Sequence, residues 1–423
     1  MTSDMTPMKS PALRVAMLSL HTSPLAALGG RETGGMNVYV REVATRLVEL
    51  GVAVDVFTRR ADAGLPAVTD VVPGARLVQV EAGPAAPIEK EAMPELTAAF
   101  ADGVEAFRAA EGITYDVIHS HYWLSADAGD LLAERWDVPH AAMFHTLGDV
   151  KLRARASERE PEVRLNAERR LVHRLDRIVA ATEHERRLLR QIYRVADARV
   201  AVVPLGVDLD QFQPGDQREA RRRLGLPEDE RIILAIGRIE PLKGLDVLIQ
   251  SLTAMSDSSN VGLYIIGGDE RARPELDRLA AIARSFGVED RVHFLGARPH
   301  EELPDYYRAS DVVAVPSFYE SFGLVAVEAM ASGTPVVASR VGGLASTVVD
   351  GRTGYLIAWR CPEPFAEKFD LLFANEELRR HLGRSARERM EQSYSWTRVA
   401  EAVAALYEEL IAEHARPNEA TAS

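Results

Sequence analysis

Short apolar runs alternate with longer amphipathic stretches along the chain. Residues 13–20 (LRVAMLSL) are apolar at almost every position, the pattern of a strand covered on both faces. Over residues 37–50, Val40, Val43, Ala44, Leu47 and Leu50 recur at helical spacing, and Gly51 ends the run before a second strand at 52–58. The same pattern predicts strands at 76–80, 117–120, 140–144, 177–181 and 199–203. A second series then begins, with strands at 231–237, 262–267, 291–295, 311–316 and 334–339 and helices at 245–254, 274–286 and 324–331. Residues 363–414 are mostly helical in pattern, residues 416–423 read as a frayed end, and no repeat of fixed period is present.

Strands that alternate with helices predict parallel sheets with helices on both faces. The expected fold class is α/β, with two Rossmann-like doubly wound domains. Between the two series, residues 204–215 (PLGVDLDQFQPG) are rich in Pro, Gly and Asp and break the periodicity, which marks a linker. One domain is placed at 1–208 and the other at 209–395, with a helix at 396–415 packing back on the first. Two open sheets joined in this way face each other across a cleft, and ligands of such sheets bind beyond the carboxyl ends of the strands. The chemistry is therefore expected on loops that follow strands.

Composition narrows the function classes. The chain has 423 residues, 47% apolar and 27% charged, with a net charge of −13. These values exclude extended disorder and argue against a nucleic-acid binder, which needs a basic footprint. The single cysteine, Cys361, excludes an internal disulfide framework and a cysteine-based zinc site. No apolar run approaches the roughly 20 residues of a membrane span. The polar start lacks the apolar core of a secretory signal, so a cytoplasmic location is expected. Of 50 Lys+Arg only five are lysines: Lys9, Lys90, Lys151, Lys243 and Lys368. Where Arg is the default, a retained Lys points to a position that wants a compact, flexible ammonium.

Gly34-Gly35-Met36-Asn37 follows the first strand and opens the first helix. Glycines there let the backbone approach a ligand, and a helix N-terminus offers N–H groups to an anion; a tight strand-to-helix turn has the same signature. Neither half carries Gly-x-Gly-x-x-Gly after its first strand, and no Walker loop is present, which weakens dehydrogenase and P-loop readings. In Gly237-Arg238-Ile-Glu-Pro-Leu-Lys243-Gly244 an Arg and a Lys five apart can converge on a diphosphate. Glu320 and Glu328 flank a strand-to-helix turn. Glu320 sits at the cleft mouth; Glu328 lies in an apolar run, where a carboxylate needs a partner, either sugar hydroxyls or a nearby Arg. The Arg-rich stretch 153–199 is interleaved with Glu and reads as a solvated helix face. His119 and His121 read as lining the cleft, not as metal ligands.

Glu320-x7-Glu328, with Gly237-Arg238 and Lys243-Gly244 upstream, resembles the retaining GT-B glycosyltransferases of family 4 across the whole second half. The resemblance implies donor binding in the second domain. Arg238 and Lys243 would hold a nucleotide diphosphate, Glu320 the donor sugar and Glu328 the ribose hydroxyls. The Arg298 backbone would meet the base, backbone N–H groups of Ser321, Phe322, Gly323 and Leu324 the phosphates, and Gly35 would approach the donor from the first domain. His21-Thr-Ser-Pro-Leu, Gly34-Gly-Met-Asn-Val-Tyr-Val40, His119-Ser-His-Tyr122-Trp-Leu-Ser125 and His145-Thr146-Leu narrow the similarity to the D-inositol 3-phosphate glycosyltransferases of mycothiol synthesis, over residues 13–410.

In that family a Lys, a Tyr, a Thr and an Arg grip the acceptor phosphate. The matching positions are Lys90, Tyr122, Thr146 and Arg164, with His21, Glu32 and Asn37 completing the implied acceptor set. Glu32 stands where the family often has Asp, and residues 148–150 also depart from its usual sequence. Sucrose and sucrose-phosphate synthases share a Thr-Gly-Gly in the first loop. The acceptor therefore stays open among phosphorylated polyols and hexoses, and the donor between glucose and N-acetylglucosamine.

The implied reaction moves a sugar from a UDP-sugar to an acceptor hydroxyl with retention of configuration. Arg238, Lys243 and helix N-terminal amides would stabilise the departing diphosphate, so no metal or other cofactor is expected. His145 would steady the developing positive charge through its backbone carbonyl. Expected partners are the UDP-sugar and the phosphorylated small-molecule acceptor, with no nucleic acid; a homodimer is left open. The alternatives are transfer to fructose 6-phosphate, a peripheral membrane transferase with a lipid acceptor, a sugar-nucleotide epimerase, and a non-enzymatic nucleotide-sugar sensor.

Overall fold

The computed structural model describes residues 13–25, 35–154, 159–268, 272–358 and 361–416. Continuous runs of Val, Ile, Leu and Ala become strands covered on both faces, because only two helical layers bury such runs completely. The first half runs β1 (Leu13–Leu18), α1 (Gly35–Glu49), β2 (Val52–Arg59), β3 (Val68–Val72), β4 (Ala75–Val80), α2 (Thr97–Glu111), β5 (Val117–His121), α3 (Trp123–Trp136), β6 (His140–Met143), α4 (Gly148–Ala154), α5 (Glu162–Leu171), β7 (Arg177–Ala180), α6 (Glu183–Tyr193) and β8 (Val200–Val202). The second half runs α7 (Gln217–Leu224), β9 (Arg231–Ile236), α8 (Leu245–Ala254), β10 (Val261–Ile266), α9 (Arg273–Ser285), β11 (Val292–Gly296), α10 (Leu303–Ala309), β12 (Val312–Val315), α11 (Leu324–Ala331), β13 (Val336–Ser339), α12 (Leu344–Thr347), β14 (Gly354–Ile357), α13 (Pro362–Ala374), α14 (Glu376–Ser393) and α15 (Trp396–His414).

The strands form an eight-stranded sheet in the order β3-β4-β2-β1-β5-β6-β7-β8 and a six-stranded sheet in the order β11-β10-β9-β12-β13-β14. Every pairing is parallel except β3 with β4. The second order is the doubly wound arrangement, with its switch point between β9 and β12; the first has its switch point between β1 and β5. Loops after these strands diverge there and leave a crevice.

Two strands escape the sequence pattern. β3 is an edge strand with no fully buried residue, so it lacks an apolar face, although Pro73-Gly74 is the turn that pairs it with β4. β14 has only four residues.

The linker 204–215 carries no helix or strand, but Val207 bridges Ser395 and its N–H donates to Tyr394 O at 2.7 Å. The two chain crossings between the domains are thereby tied together. From the second crossing α15 returns to the first domain, where Val403, Tyr407 and Leu410 join Val43 and Leu47 of α1 in a shared core. Each such fully buried side chain contributes roughly 1.5–3 kcal/mol. That core places the carboxyl ends of β1, β5 and β6 opposite those of β9, β12 and β13.

Candidate active site

In the first domain a cluster forms around one phenol ring. Tyr122 caps α3 with a φ of 75°, in the left-handed region that a non-glycine residue enters only at some strain. Lys90 Nζ lies 4.3 Å and the Arg164 guanidinium 5.0 Å from its ring centre, and the His21 ring packs 4.6 Å away. Arg164 comes from α5. Its Nη2 donates to Thr146 O at 2.8 Å and Thr146 Oγ1 at 3.1 Å, its Nε to Glu168 at 2.7 Å and its Nη1 to Glu160 at 2.7 Å. Glu160 also takes Lys151 at 2.5 Å, and Glu168 takes the Gly148 N–H and the Tyr193 hydroxyl. Lys90, Tyr122, Thr146 and Arg164 thus meet in one place, although they come from four separate segments.

Three more expected acceptor residues differ in placement. Burial first, and then Lys90, His145 and Arg164, hold the His21 imidazole well below its ordinary pKa, so it is neutral. Its Nδ1 is buried without a partner among the described residues. Asn37 is buried and donates to Thr22 Oγ1 and Ser23 O, both at 2.7 Å, so its amide anchors the loop after β1. Glu32 and Gly34 lie outside the described residues. Gly35 opens α1 so close to the second domain that a Cβ there would stand 2.8 Å from Leu324 Cδ1.

His119 and His121, expected to line the cleft, are instead sealed in the core at 0% exposure. β5 is covered on both faces and α15 supplies part of that cover. His119 Nδ1 meets the Tyr407 hydroxyl at 2.7 Å, and His121 Nδ1 meets His145 Nε2 at 3.2 Å. Burial pushes His119 and His145 down to about 3, with the charge of His119 adding to the effect at His145. His145 sits in the loop after β6 with a φ of 60°, followed by a Thr146 N–H bonded to Phe144 O at 2.7 Å. This side-chain tether was not legible beforehand, since nothing in the spacing joins residues 121 and 145.

In the second domain Lys243 Nζ pairs with Glu320 Oε2 at 2.7 Å. Arg238 turns outward onto Glu240 at 3.0 Å, with its side chain 68% exposed. Both border one pocket, together with Gly237, Ser317 and Val325. Each of the two cations thus carries a carboxylate partner while bordering the same pocket.

The loop bearing Glu320 is held by a glycine pair that the sequence reading passed over. Gly343 N donates to Glu320 O at 2.9 Å, and a Cβ on Gly342 would lie 1.9 Å from that same oxygen. A Gly-Gly with two residues between it and the predicted strand at 334–339 was the available signal. Ser321, Phe322 and Gly323 lead into α11, with Gly323 at its N-cap (φ 95°) and Leu324 as its first residue. The first N–H groups of such a helix have no intrahelical acceptor. Arg298 is exposed on the loop after β11.

Within the protein Glu328 pairs with a histidine and a tyrosine, not with the arginine that was its alternative partner. Its oxygens accept from His300 Nε2 at 2.9 Å and the Tyr307 hydroxyl at 2.7 Å. Burial lowers the His300 pKa, but the hydrogen bond and charge of Glu328 outweigh it and raise the value above the ordinary one. Phe212 of the linker packs on both rings, 5.1 Å from His300 and 5.8 Å from Tyr307. Between the domains, Tyr319 and Glu320 face Leu147, Val150, Leu188 and Glu185 across a small pocket. Glu185 accepts the Ala181 N–H at 2.8 Å, its own N–H is capped by Thr182, and burial pushes its carboxyl up to about 7. Among the described residues no three His, Cys, Asp or Glu stand together as a metal site, and no helix is long and apolar enough to cross a membrane.

Known proteins share this architecture and much of this sequence. The family model for glycosyl transferases group 1 matches residues 216–389, and that for Glycosyltransferase Family 4 matches residues 33–211. The chain is 42% identical over 413 residues to a D-inositol 3-phosphate glycosyltransferase of Nocardiopsis dassonvillei, covering 96% of each. It is 42% identical over 407 residues to that of Corynebacterium jeikeium, covering 94% of this chain and 97% of the other. The structure of a sucrose-phosphate synthase from Thermosynechococcus elongatus superposes with a TM-score of 0.86 at 35% identity, covering 95% of this chain and 100% of the other.

Proposed function

The chain belongs to the D-inositol 3-phosphate glycosyltransferase family of GT-B enzymes, and from that premise we propose that it transfers a hexose or N-acetylhexosamine from a UDP-sugar to a phosphorylated polyol such as inositol 3-phosphate, with retention of configuration. The observation that carries the acceptor class is the cluster of Lys90, Tyr122, Thr146 and Arg164. Two cations, a phenol and a hydroxyl match the acceptor oxygens of a phosphate dianion.

On the donor side, Arg238 leaves Glu240 to meet the diphosphate, and Lys243 joins it from its seat on Glu320. Glu320 then faces the sugar, and Glu328, with its oxygens fixed by His300 and Tyr307, faces the ribose. Breaking the bond from the sugar C1 to the phosphate oxygen leaves negative charge on the diphosphate. Cations and helix N-terminal N–H groups stabilise that charge more in the transition state than in the ground state, which lowers the barrier. The leaving oxygen takes the proton from the attacking hydroxyl on the same face, so the configuration is kept. The His145 carbonyl steadies the positive charge at C1. Closure of the cleft excludes the water that would hydrolyse the donor. The scheme uses no metal or other cofactor, and we place it in the cytoplasm.

The likeness to a sucrose-phosphate synthase at 35% identity supports a second reading, transfer to fructose 6-phosphate. One assay separates the two. UDP release is measured from UDP-glucose and UDP-N-acetylglucosamine with inositol 3-phosphate, with fructose 6-phosphate and with no acceptor, and the product anomer is read by NMR. Turnover with inositol 3-phosphate and a retained linkage is expected. Preference for fructose 6-phosphate favours the second reading; release of a free epimer without acceptor, or an inverted linkage, contradicts both.

A further inference from the structure

A cavity of about 630 Å³ opens at the far end of the second sheet, where β9, β12 and β13 begin. β9 has six residues, so at about 3.3 Å per residue this end lies roughly 20 Å from the donor pocket. At its floor Asp311, 3% exposed, is shared by three guanidinium groups: Arg221 at 3.0 Å, Arg379 at 3.6 Å and Arg231 at 3.8 Å. Arg221 and Arg379 are themselves only 5% and 10% exposed. One buried carboxylate therefore faces two buried guanidinium groups and a third that is 44% exposed. Burial, and then the charges of Arg231 and Arg380, pull the Arg379 pKa below its ordinary value despite Asp311.

Most other carboxylates around the cavity are committed elsewhere. Glu376 pairs with Arg380 at 2.5 Å, Glu230 takes the Tyr264 hydroxyl at 2.6 Å, Glu228 faces Arg222 at 3.8 Å, and Asp216 caps the Glu219 N–H at 2.7 Å. Asp229 stands at the rim. Arg218 lies at the mouth with no carboxylate partner among the described residues. The N-termini of α7 and α14 border the same space, each with acidic residues at its cap or in its first turn.

We propose that this cavity is a second anion site, built for a small diphosphate-class anion and separate from both the acceptor cradle and the donor clamp. Such an anion pairs with Arg218 and Arg231 at the opening, where Arg218 has no carboxylate partner among the described residues. The buried Arg221–Asp311–Arg379 cluster stays in place as its floor. Neither the family assignment nor the transfer reaction is needed for this site to exist.

The test is calorimetric titration of the whole protein with inorganic pyrophosphate at constant ionic strength. Pyrophosphate also fits the donor clamp, so a Lys90→Ala/Arg238→Ala double variant is used to silence the cleft. That variant is expected to keep one saturable site. Adding Arg218→Ala and Arg231→Ala to it should weaken the remaining site at least tenfold, whereas Arg218→Lys and Arg231→Lys should restore most of it. On the wild-type background, Arg218→Ala/Arg231→Ala should turn over within twofold of wild type when no pyrophosphate is present, which shows that the fold is intact. The proposal is overturned if the cleft-silenced variant binds no pyrophosphate, or if its binding does not change when Arg218 and Arg231 are removed. The arginines would then be an ion-pair hub that only fastens α7 and α14 to the sheet.

Discussion

The proposed acceptor cradle and the proposed donor clamp are each built around a pair of cations, yet they stand in different states. In the cradle, Arg164 is 5% exposed at its side chain and fixed from three sides, by Glu160, by Glu168 and by Thr146. Tyr122 is wedged between it and Lys90. In the clamp, Arg238 lies on the surface against Glu240, and Lys243 is held by Glu320, the residue assigned to the sugar. On the proposed reading the cradle is assembled before any ligand arrives, whereas the clamp has to exchange its carboxylates for phosphate oxygens. The difference follows from the chemistry of the two steps. An acceptor phosphate keeps its charge throughout, so a rigid site serves it. The diphosphate is already anionic and gains a further charge as the bond breaks, so on the proposed reaction cations that tighten on it late favour the transition state over the ground state.

Substitutions should separate the two regions, and the largest effect is expected at Arg164. Arg164→Ala leaves the fully buried Glu168 without a cationic partner, while Glu160 keeps Lys151, which should lower unfolding stability by about 3–5 kcal/mol in urea titration. A small change would mean that the cradle is not pre-fastened. Arg238→Ala should behave in the opposite way. Its side chain is exposed, so the melting temperature should hold, while kcat falls on the order of 100- to 1,000-fold. Loss of stability with little loss of rate would reverse the comparison.

Lys90→Ala sharpens it further. The acceptor KM should rise about tenfold, worth about 1.4 kcal/mol, with kcat within about twofold. A selective fall in kcat would move Lys90 out of the cradle. The smallest effect is expected at Glu185, between the domains. Its folded-state pKa is raised to about 7, so the folded protein holds the proton more tightly than the unfolded chain. Stability is therefore lost as pH rises from the ordinary carboxylate range through 7. Glu185→Gln keeps an acceptor for the Ala181 N–H and should raise the melting temperature at pH 8 but not at pH 4.5. An equal gain at both values would mean that the carboxyl is not desolvated.

Both sheets, the linker and the helices α8 and α11 could be read from periodicity, because buried parallel strands leave continuous apolar runs. The edge strand β3 could not, since it has no buried face. At the site, residue types on post-strand loops were legible, and so was the meeting of Lys90 with Tyr122 once the resemblance was seen. What spacing does not carry is the direction in which a side chain turns. Arg238 pairs with Glu240 at the pocket's edge, His121 turned inward to hold His145, and Glu328 found a His and a Tyr 28 and 21 residues upstream. Each of these depends on contacts between distant segments, which a local pattern does not encode.

A crystal structure of the protein soaked with UDP tests the central claim most directly. The predicted result has the Arg238 guanidinium released from Glu240 and, with Lys243, within hydrogen-bonding distance of the pyrophosphate, while Arg164 and Tyr122 keep their present positions. A pyrophosphate bound away from both cations, or an Arg238 still paired with Glu240, would contradict it.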